Sequence, residues 1–261
     1  MSVIDTDETA GVLTVTLADE EHRNALSTHL VEELSDVLDA AEADDGVRVI
    51  VLTNSGRVFC AGADLSERSG RSDTASPSRS VAPADLFARF GRSHKPYVGR
   101  IAGHCVAGGM GLAAAMDIAI AVDTAKMGFT EVRIGVAPAM ISVVCLPKMR
   151  AADARAAFLR GNRFLAPEAA RMGLIYAAVP AAELDTAVEA VVQDLLAGGP
   201  EALAANKQLL ARVPQMTTDD AFAWTAELSA ALFRGDEARE GMAAFLEKRP
   251  AAWIPDTASG S

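Results

Sequence analysis

The chain has 261 residues, half of them apolar, with a formal net charge of −11 and three cysteines. That size and apolar share call for one large domain, or a domain with an appendage, around a sizeable core. No uninterrupted apolar run reaches the roughly 18 residues of a membrane span, and the acidic balance argues against nucleic acid as the main partner, though not against a phosphorylated ligand held by a few local cations.

No basic stretch followed by an apolar one opens the chain, so no secretory signal is expected. Residues 11–17 alternate and are β-branched, which predicts an opening strand. Residues 27–43 predict a helix: Ser27 stands where a cap belongs, and Leu30, Val31, Leu34, Val37, Leu38 and Ala41 form one apolar stripe. A strand over 47–53 follows, giving β, α, β. Residues 67–82, rich in Ser, Gly, Pro and Arg, predict a mobile surface loop. Then come a short helix over 83–91, a strand over 97–101, an apolar helix over 109–116 and a strand over 118–122. This alternation implies parallel strands with helical crossovers. Beyond about Pro138 the pattern turns helical, over 151–159, 167–172, 182–196, 200–211, 218–233 and 236–247. Residues 175–179 return one strand to the core, and the polar end at 254–261 is expected to fray. Cys60, Cys105 and Cys145 sit in apolar settings and read as buried free thiols of a reducing, cytoplasmic compartment.

Two segments stand out. Ala61-Gly62-Ala63-Asp64-Leu65 and Ala107-Gly108-Gly109-Met110-Gly111 each follow a run that reads as a buried strand, and each offers small residues where backbone N–H groups approach a ligand closely. Two amides aimed at one point, from Ala63 and Gly108, would hold a carbonyl oxygen that gains negative charge. Gly108 also stands just before a helix, where free N–H groups and the dipole favour an anion. The alternative is two tight turns whose small residues merely allow packing. Glu131 lies in a mostly apolar stretch: buried there it would be a proton acceptor with a raised pKa, otherwise a surface glutamate at a strand end. Arg23, Lys248 and Arg249 are each either a phosphate contact or a solvated cation, and Asp64 reads as a helix cap. No nucleophile elbow and no P-loop occur, and His22, His29, His94 and His104 lack metal-ligand spacing.

Taken in order and spacing, Arg23-Asn24-Ala25-Leu26, the segment from Phe59 to Leu65, Ala102-Gly103 through Gly109, the segment from Phe129 to Gly135 and the run from Asp236 to Arg249 resemble the enoyl-CoA hydratase/isomerase (crotonase) family over nearly the whole chain. The resemblance implies an α/β fold, a ClpP/crotonase-like spiral of ββα units over residues 1–195. Residues 196–261 would then form a helical region that builds homotrimers, often paired into hexamers, and a frayed tail. It implies an acyl-CoA thioester as ligand, with no separate cofactor and no metal, since CoA is part of the substrate. By the same resemblance Ala63 and Gly108 hold the thioester oxygen and Glu131 is the acid/base. Arg23, Ala25, Ala61, Asp64, Leu65, Gly109 and Gly111 line the CoA or acyl site, and Phe245 and Lys248 reach CoA, in some members from a neighbouring subunit.

One departure matters. Hydratases of the family carry two glutamates, and the first would fall at Gly111, which has no side chain; Leu112, Ala113, Ala114 and Ala115 supply no substitute. A single carboxylate suits migration of a double bond from 3-enoyl to 2-enoyl thioester better than addition of water. The expectation is therefore an enoyl-CoA hydratase/isomerase leaning to isomerase. The alternatives are a one-glutamate hydratase of fatty-acid or branched-acid degradation, or a non-catalytic acyl-CoA binder.

Overall fold

The computed structural model describes residues 2–69 and 81–255. The loop expected over 67–82 and the frayed end therefore fall largely outside the described residues. The chain opens with a hairpin, β1 (Ile4–Thr9) and β2 (Val12–Leu17), then α1 (Thr28–Ala43). Ser27 caps α1 as its place in the sequence predicts, its hydroxyl accepting from the Leu30 N–H at 3.2 Å. The stripe packs inward with one change: Ser35 is buried in place of Val37, its hydroxyl donating to the Val31 carbonyl at 2.6 Å.

Three similar turns follow. Each gives a long strand, a short strand and then a helix: β3 (Val49–Asn54), β4 (Val58–Cys60) and α2 (Leu65–Arg68), with α3 (Pro83–Arg92) after them; β5 (Tyr97–Ile101), β6 (His104–Val106) and α4 (Gly108–Ala115); β7 (Ile118–Val122), β8 (Lys126–Gly128) and, after a 3-10 turn at Glu131–Ile134, α5 (Ala139–Cys145). The long strands form a six-stranded sheet in the order β1-β2-β3-β5-β7-β10, in which β10 is Ala177–Val179 and only the β1–β2 pair is antiparallel. The short strands β4, β6 and β8 run parallel in a second sheet, closed by antiparallel β9 (Phe164–Leu165). Every residue of β3 is buried, as a parallel strand covered on both faces should be.

The helical second half comprises α6 (Ala151–Arg160), α7 (Ala166–Arg171), α8 (Leu184–Ala197), α9 (Pro200–Arg212), α10 (Thr218–Arg234) and α11 (Asp236–Glu247). Helix α9 is fixed to the spiral by Lys207, which is buried and donates to the carbonyls of Phe90 and Lys95 and to Asp117. Arg48, at the entry to β3, donates to the carbonyls of Gly198 and Trp253 and ties the end of the chain to the same sheet. Among the described residues no helix is long and apolar enough to cross a membrane.

Candidate active site

The two glycine turns meet. Gly62 has a φ of +90°, and a Cβ there would stand 2.7 Å from the Ala107 Cβ and 2.9 Å from the Gly108 nitrogen. From the other side, a Cβ at Gly108 would lie 3.3 Å from the Gly62 Cα and 3.6 Å from the Ala63 nitrogen. The Ala63 and Gly108 amides are thus on segments in direct contact. Parallel short strands cause this: β4 and β6 run side by side, so the turns leaving their C-terminal ends emerge together. Ala107 is held at φ 51°, ψ −124°, with its N–H bonded to the Gly128 carbonyl at 2.9 Å, which leaves Gly108 as the first residue of α4. Such a position has no intrahelical acceptor. Among the described residues neither the Ala63 nor the Gly108 N–H donates outside its own element. Non-glycine backbone at positive φ is a strained state that tends to gather at functional turns.

The neighbouring loop supports the first turn. Arg23 and Asn24 have φ of 58° and 51°. The Arg23 carbonyl accepts from the Ala61 N–H at 3.1 Å, the Leu26 N–H donates to the Gly62 carbonyl at 2.7 Å, and the buried Asn24 amide donates to the Val58 carbonyl at 2.8 Å. Ala25 is buried, whereas the Arg23 residue is exposed. Gly109 allows α4 to sit on β4, since a Cβ there would reach 2.5 Å from the Cys60 carbonyl oxygen.

Glu131 opens the 3-10 turn after β8 and is half-buried. One carboxylate oxygen, Oε2, is buried without a hydrogen-bond partner. Burial pushes its pKa above the ordinary carboxylate value. The Cys145 thiol is buried and donates to the Met110 carbonyl of α4 at 3.7 Å; desolvation raises that thiol to about 12, the Glu131 charge contributing. Glu131 is thus within electrostatic reach of Cys145, which is itself bonded to α4.

Gly111 is buried in α4. A Cβ there would be 2.4 Å from Ile141 Cγ2 and 2.9 Å from Phe87 Cε1, so apolar side chains from α5 and α3 already fill the space beside it. Sequence reading recognised the missing carboxylate at this position but not the residues that occupy its place, because both come from distant segments.

The remaining candidates lie at the start of α2, next to Ala63, and at the end of α11. Asp64 caps α2, accepting from the Ser66 and Glu67 N–H groups and from the Ser66 hydroxyl, and the hydroxyl first, then these amides, hold its pKa below the usual carboxylate range. Leu65 is exposed on the first turn of α2. Phe245 is 82% exposed near the end of α11, and Lys248 terminates that helix at φ 56°. Both lie at the C-terminal end of α11, a helix that packs chiefly on α10. Among the described residues no group of His, Cys, Asp or Glu is placed to hold a metal ion.

The spiral of paired strands thus brings the Ala63 and Gly108 turns into contact and carries a partly desolvated carboxylate at the following short strand's end. The family model for enoyl-CoA hydratase/isomerase matches residues 7–255. A Thermus thermophilus relative, provisionally named an enoyl-CoA hydratase, is 36% identical over 246 residues, covering 93% of this chain and 97% of that protein. The enoyl-CoA hydratase EchA19 of Mycobacterium tuberculosis is 31% identical over 91% of each chain. The crystal structure of a Mycobacterium smegmatis enoyl-CoA hydratase superposes with a TM-score of 0.87 at 29% identity, over 97% of this chain and 99% of the other. The chain belongs to the enoyl-CoA hydratase/isomerase family, has the crotonase fold and is an acyl-CoA enzyme of that family.

Proposed function

We propose that the chain moves a double bond in an acyl-CoA thioester, from the 3-enoyl to the 2-enoyl position, with Glu131 as the single acid/base. The N–H groups of Ala63 and Gly108 donate to the thioester oxygen. The Glu131 carboxylate removes a proton from C2. The electron pair of that C–H bond moves into the thioester, and the oxygen gains the charge that the two N–H groups stabilise as a dienolate. The same carboxyl then returns its proton at C4, and the double bond comes to rest between C2 and C3. Atoms and electrons remain within substrate and enzyme, so no cofactor is needed.

The observation that carries this reading is the closed space beside Gly111. Hydration needs a second polar group to position water, and Ile141 and Phe87 stand where such a group would be. The desolvated, partnerless oxygen of Glu131 supports its part, because a carboxylate short of hydrogen bonds is a stronger base. Hydration is the second reading, favoured by the names of the relatives. We further propose that Phe245 and Lys248 serve the site of a neighbouring copy, in a homotrimer or a pair of trimers.

The test is to incubate the protein with matched 2-enoyl-CoA and 3-enoyl-CoA and follow hydration and migration separately. Migration faster than hydration is expected. Hydration as the faster reaction would overturn the isomerase reading. Tight binding of both ligands with turnover of neither would make the chain an acyl-CoA binder.

A further inference from the structure

The loop between β2 and α1 carries features that a simple connection does not need. Arg23 and Asn24 stand in succession at φ 58° and 51°, a region that residues with side chains seldom occupy and that asparagine tolerates better than most. Asn24 is only 1% exposed. Its Nδ2 donates to the Val58 carbonyl at 2.8 Å, and its backbone N–H to the Asp19 carbonyl at 2.7 Å. Its Oδ1 is buried and has no hydrogen-bond partner among the described residues. Left-handed backbone and an unsatisfied buried oxygen both lower stability. Features of that kind gather where the surrounding structure holds them for a functional reason.

The loop holds the turn that ends in Ala63. The Ala61 N–H donates to the Arg23 carbonyl at 3.1 Å, and the Gly62 N–H to the Cys60 Sγ at 3.5 Å. The Gly62 carbonyl accepts from the Leu26 N–H at 2.7 Å, and Leu26 and Ala63 form a parallel bridge. The two amides before Ala63 are thus committed, and Ala63, which is exposed, presents the next one. Leu26 also reaches the second turn, since a Cβ at Gly108 would stand 3.0 Å from its Cδ1. One residue therefore touches both halves of the amide pair, with its backbone on the Ala63 turn and its side chain against Gly108. Two residues further on, the Thr28 N–H and hydroxyl donate to the Glu67 carboxylate of α2, which fastens the loop beyond Ala63 as well.

We propose that Asn24 is a positioning residue for the amide pair. Its carboxamide pins the left-handed corner to the start of β4 and so fixes Leu26, which spaces the Ala63 and Gly108 N–H groups to meet at one oxygen. Asn24 acts through the two turns and not on the ligand. The assignment rests on the reading that these amides hold the thioester oxygen. It applies to migration and hydration alike, since both place charge on that oxygen. Donors stabilise such charge when they are already in place, and a misplacement of about 1 Å is worth about 10²-fold in rate.

The test uses Asn24→Gly, which keeps a left-handed backbone without strain and removes the carboxamide, and Leu26→Ala, which removes the side chain against Gly108. In Asn24→Gly, kcat for the faster of the two reactions should fall about 10²-fold, with KM little changed. Isotope-edited infrared spectra of bound butanoyl-CoA, a saturated thioester with no double bond to move, separate positioning from folding. Hydrogen bonds to a carbonyl lower its stretching frequency. The thioester band should move down on binding to wild type and move less on binding to either variant. Asn24→Gly with the wild-type band and the wild-type kcat would overturn the assignment, whatever its melting temperature, because the residue would then serve stability alone. Should Asn24→Gly not fold, Leu26→Ala decides, and a wild-type band and kcat in that variant would overturn the assignment equally. A band that does not move on binding to wild type would bring down the amide-pair reading itself, and the assignment with it. A wild-type shift matched in both variants would leave that reading standing and remove only the part given to Asn24.

Discussion

The carboxyl of Glu131 carries a raised pKa because burial removes water from it without supplying a hydrogen bond to Oε2. Acting as a base, it must be ionised, so kcat/KM should rise with pH through a value above the ordinary 4.5, and a pH–rate profile checks this. Glu131→Gln should lower turnover by about 10²–10⁴-fold, the usual worth of such a group, while CoA binding by titration stays largely intact. The same burial has a consequence for stability. In the interval between the ordinary and the raised pKa the folded protein holds a proton that the unfolded chain releases. This group's contribution to stability is therefore complete below the ordinary value and is lost as pH climbs through the raised one. Glu131→Gln should accordingly melt above wild type at neutral pH, and the two melting curves should converge in acid. An equal gap at every pH would mean that the carboxyl is not desolvated. Ala63, Gly108 and Glu131 were legible in the sequence as small residues after buried strands and as an acid in an apolar stretch. The environment of Glu131 was not, since its desolvation depends on what folding packs around it.

At the scale of elements, the glycine turns depend on what they allow to approach. Gly62→Ala would face both a φ of +90° and contact at 2.7 Å with Ala107, a strain of about 1–3 kcal/mol located at the amide pair. Turnover should fall together with the melting temperature. Gly111→Glu, the substitution that supplies the absent acid, meets Ile141 at 2.4 Å. Overpacking of that kind costs about 1–3 kcal/mol, so the single variant should melt lower and gain no hydration. Gly111→Glu combined with Ile141→Ala has room for the side chain and should regain stability relative to the single variant, along with measurable hydration of a 2-enoyl-CoA. A single variant as stable as wild type would show that the wall yields. The long helices α1, α8, α9, α10 and α11 were legible, because their patterns recur over three or more turns; the span of α11 matches the prediction residue for residue. The strands β4, β6 and β8 were not, being three residues each and defined by pairing rather than pattern. Nor was β1, whose sequence IDTDET is polar and buries only Ile4. The second sheet, which brings the two turns together, is therefore the part of the fold that the sequence concealed.

Over the whole molecule, the spiral and the appendage differ in how they meet solvent. The spiral buries its apolar residues around two sheets. Helix α10 runs for 17 residues and buries none of them, and α11 buries only Ala244. Phe222, Phe233, Phe245 and Leu246 stand exposed on these two helices. Large apolar side chains gathered on one appendage mark a surface made for another protein, and in the reading proposed above that protein is a second copy. Burying such side chains contributes about 1.5–3 kcal/mol each, so charges placed among them should prevent assembly. Phe233→Glu with Leu246→Glu is expected to convert a trimer, or a pair of trimers, into monomers by light scattering, with the far-ultraviolet dichroism of the spiral retained. The loss of assembly should also raise KM for acyl-CoA, because in that reading Phe245 and Lys248 act on a neighbour's site. A wild-type protein that is monomeric at micromolar concentration and fully active would remove both residues from the site.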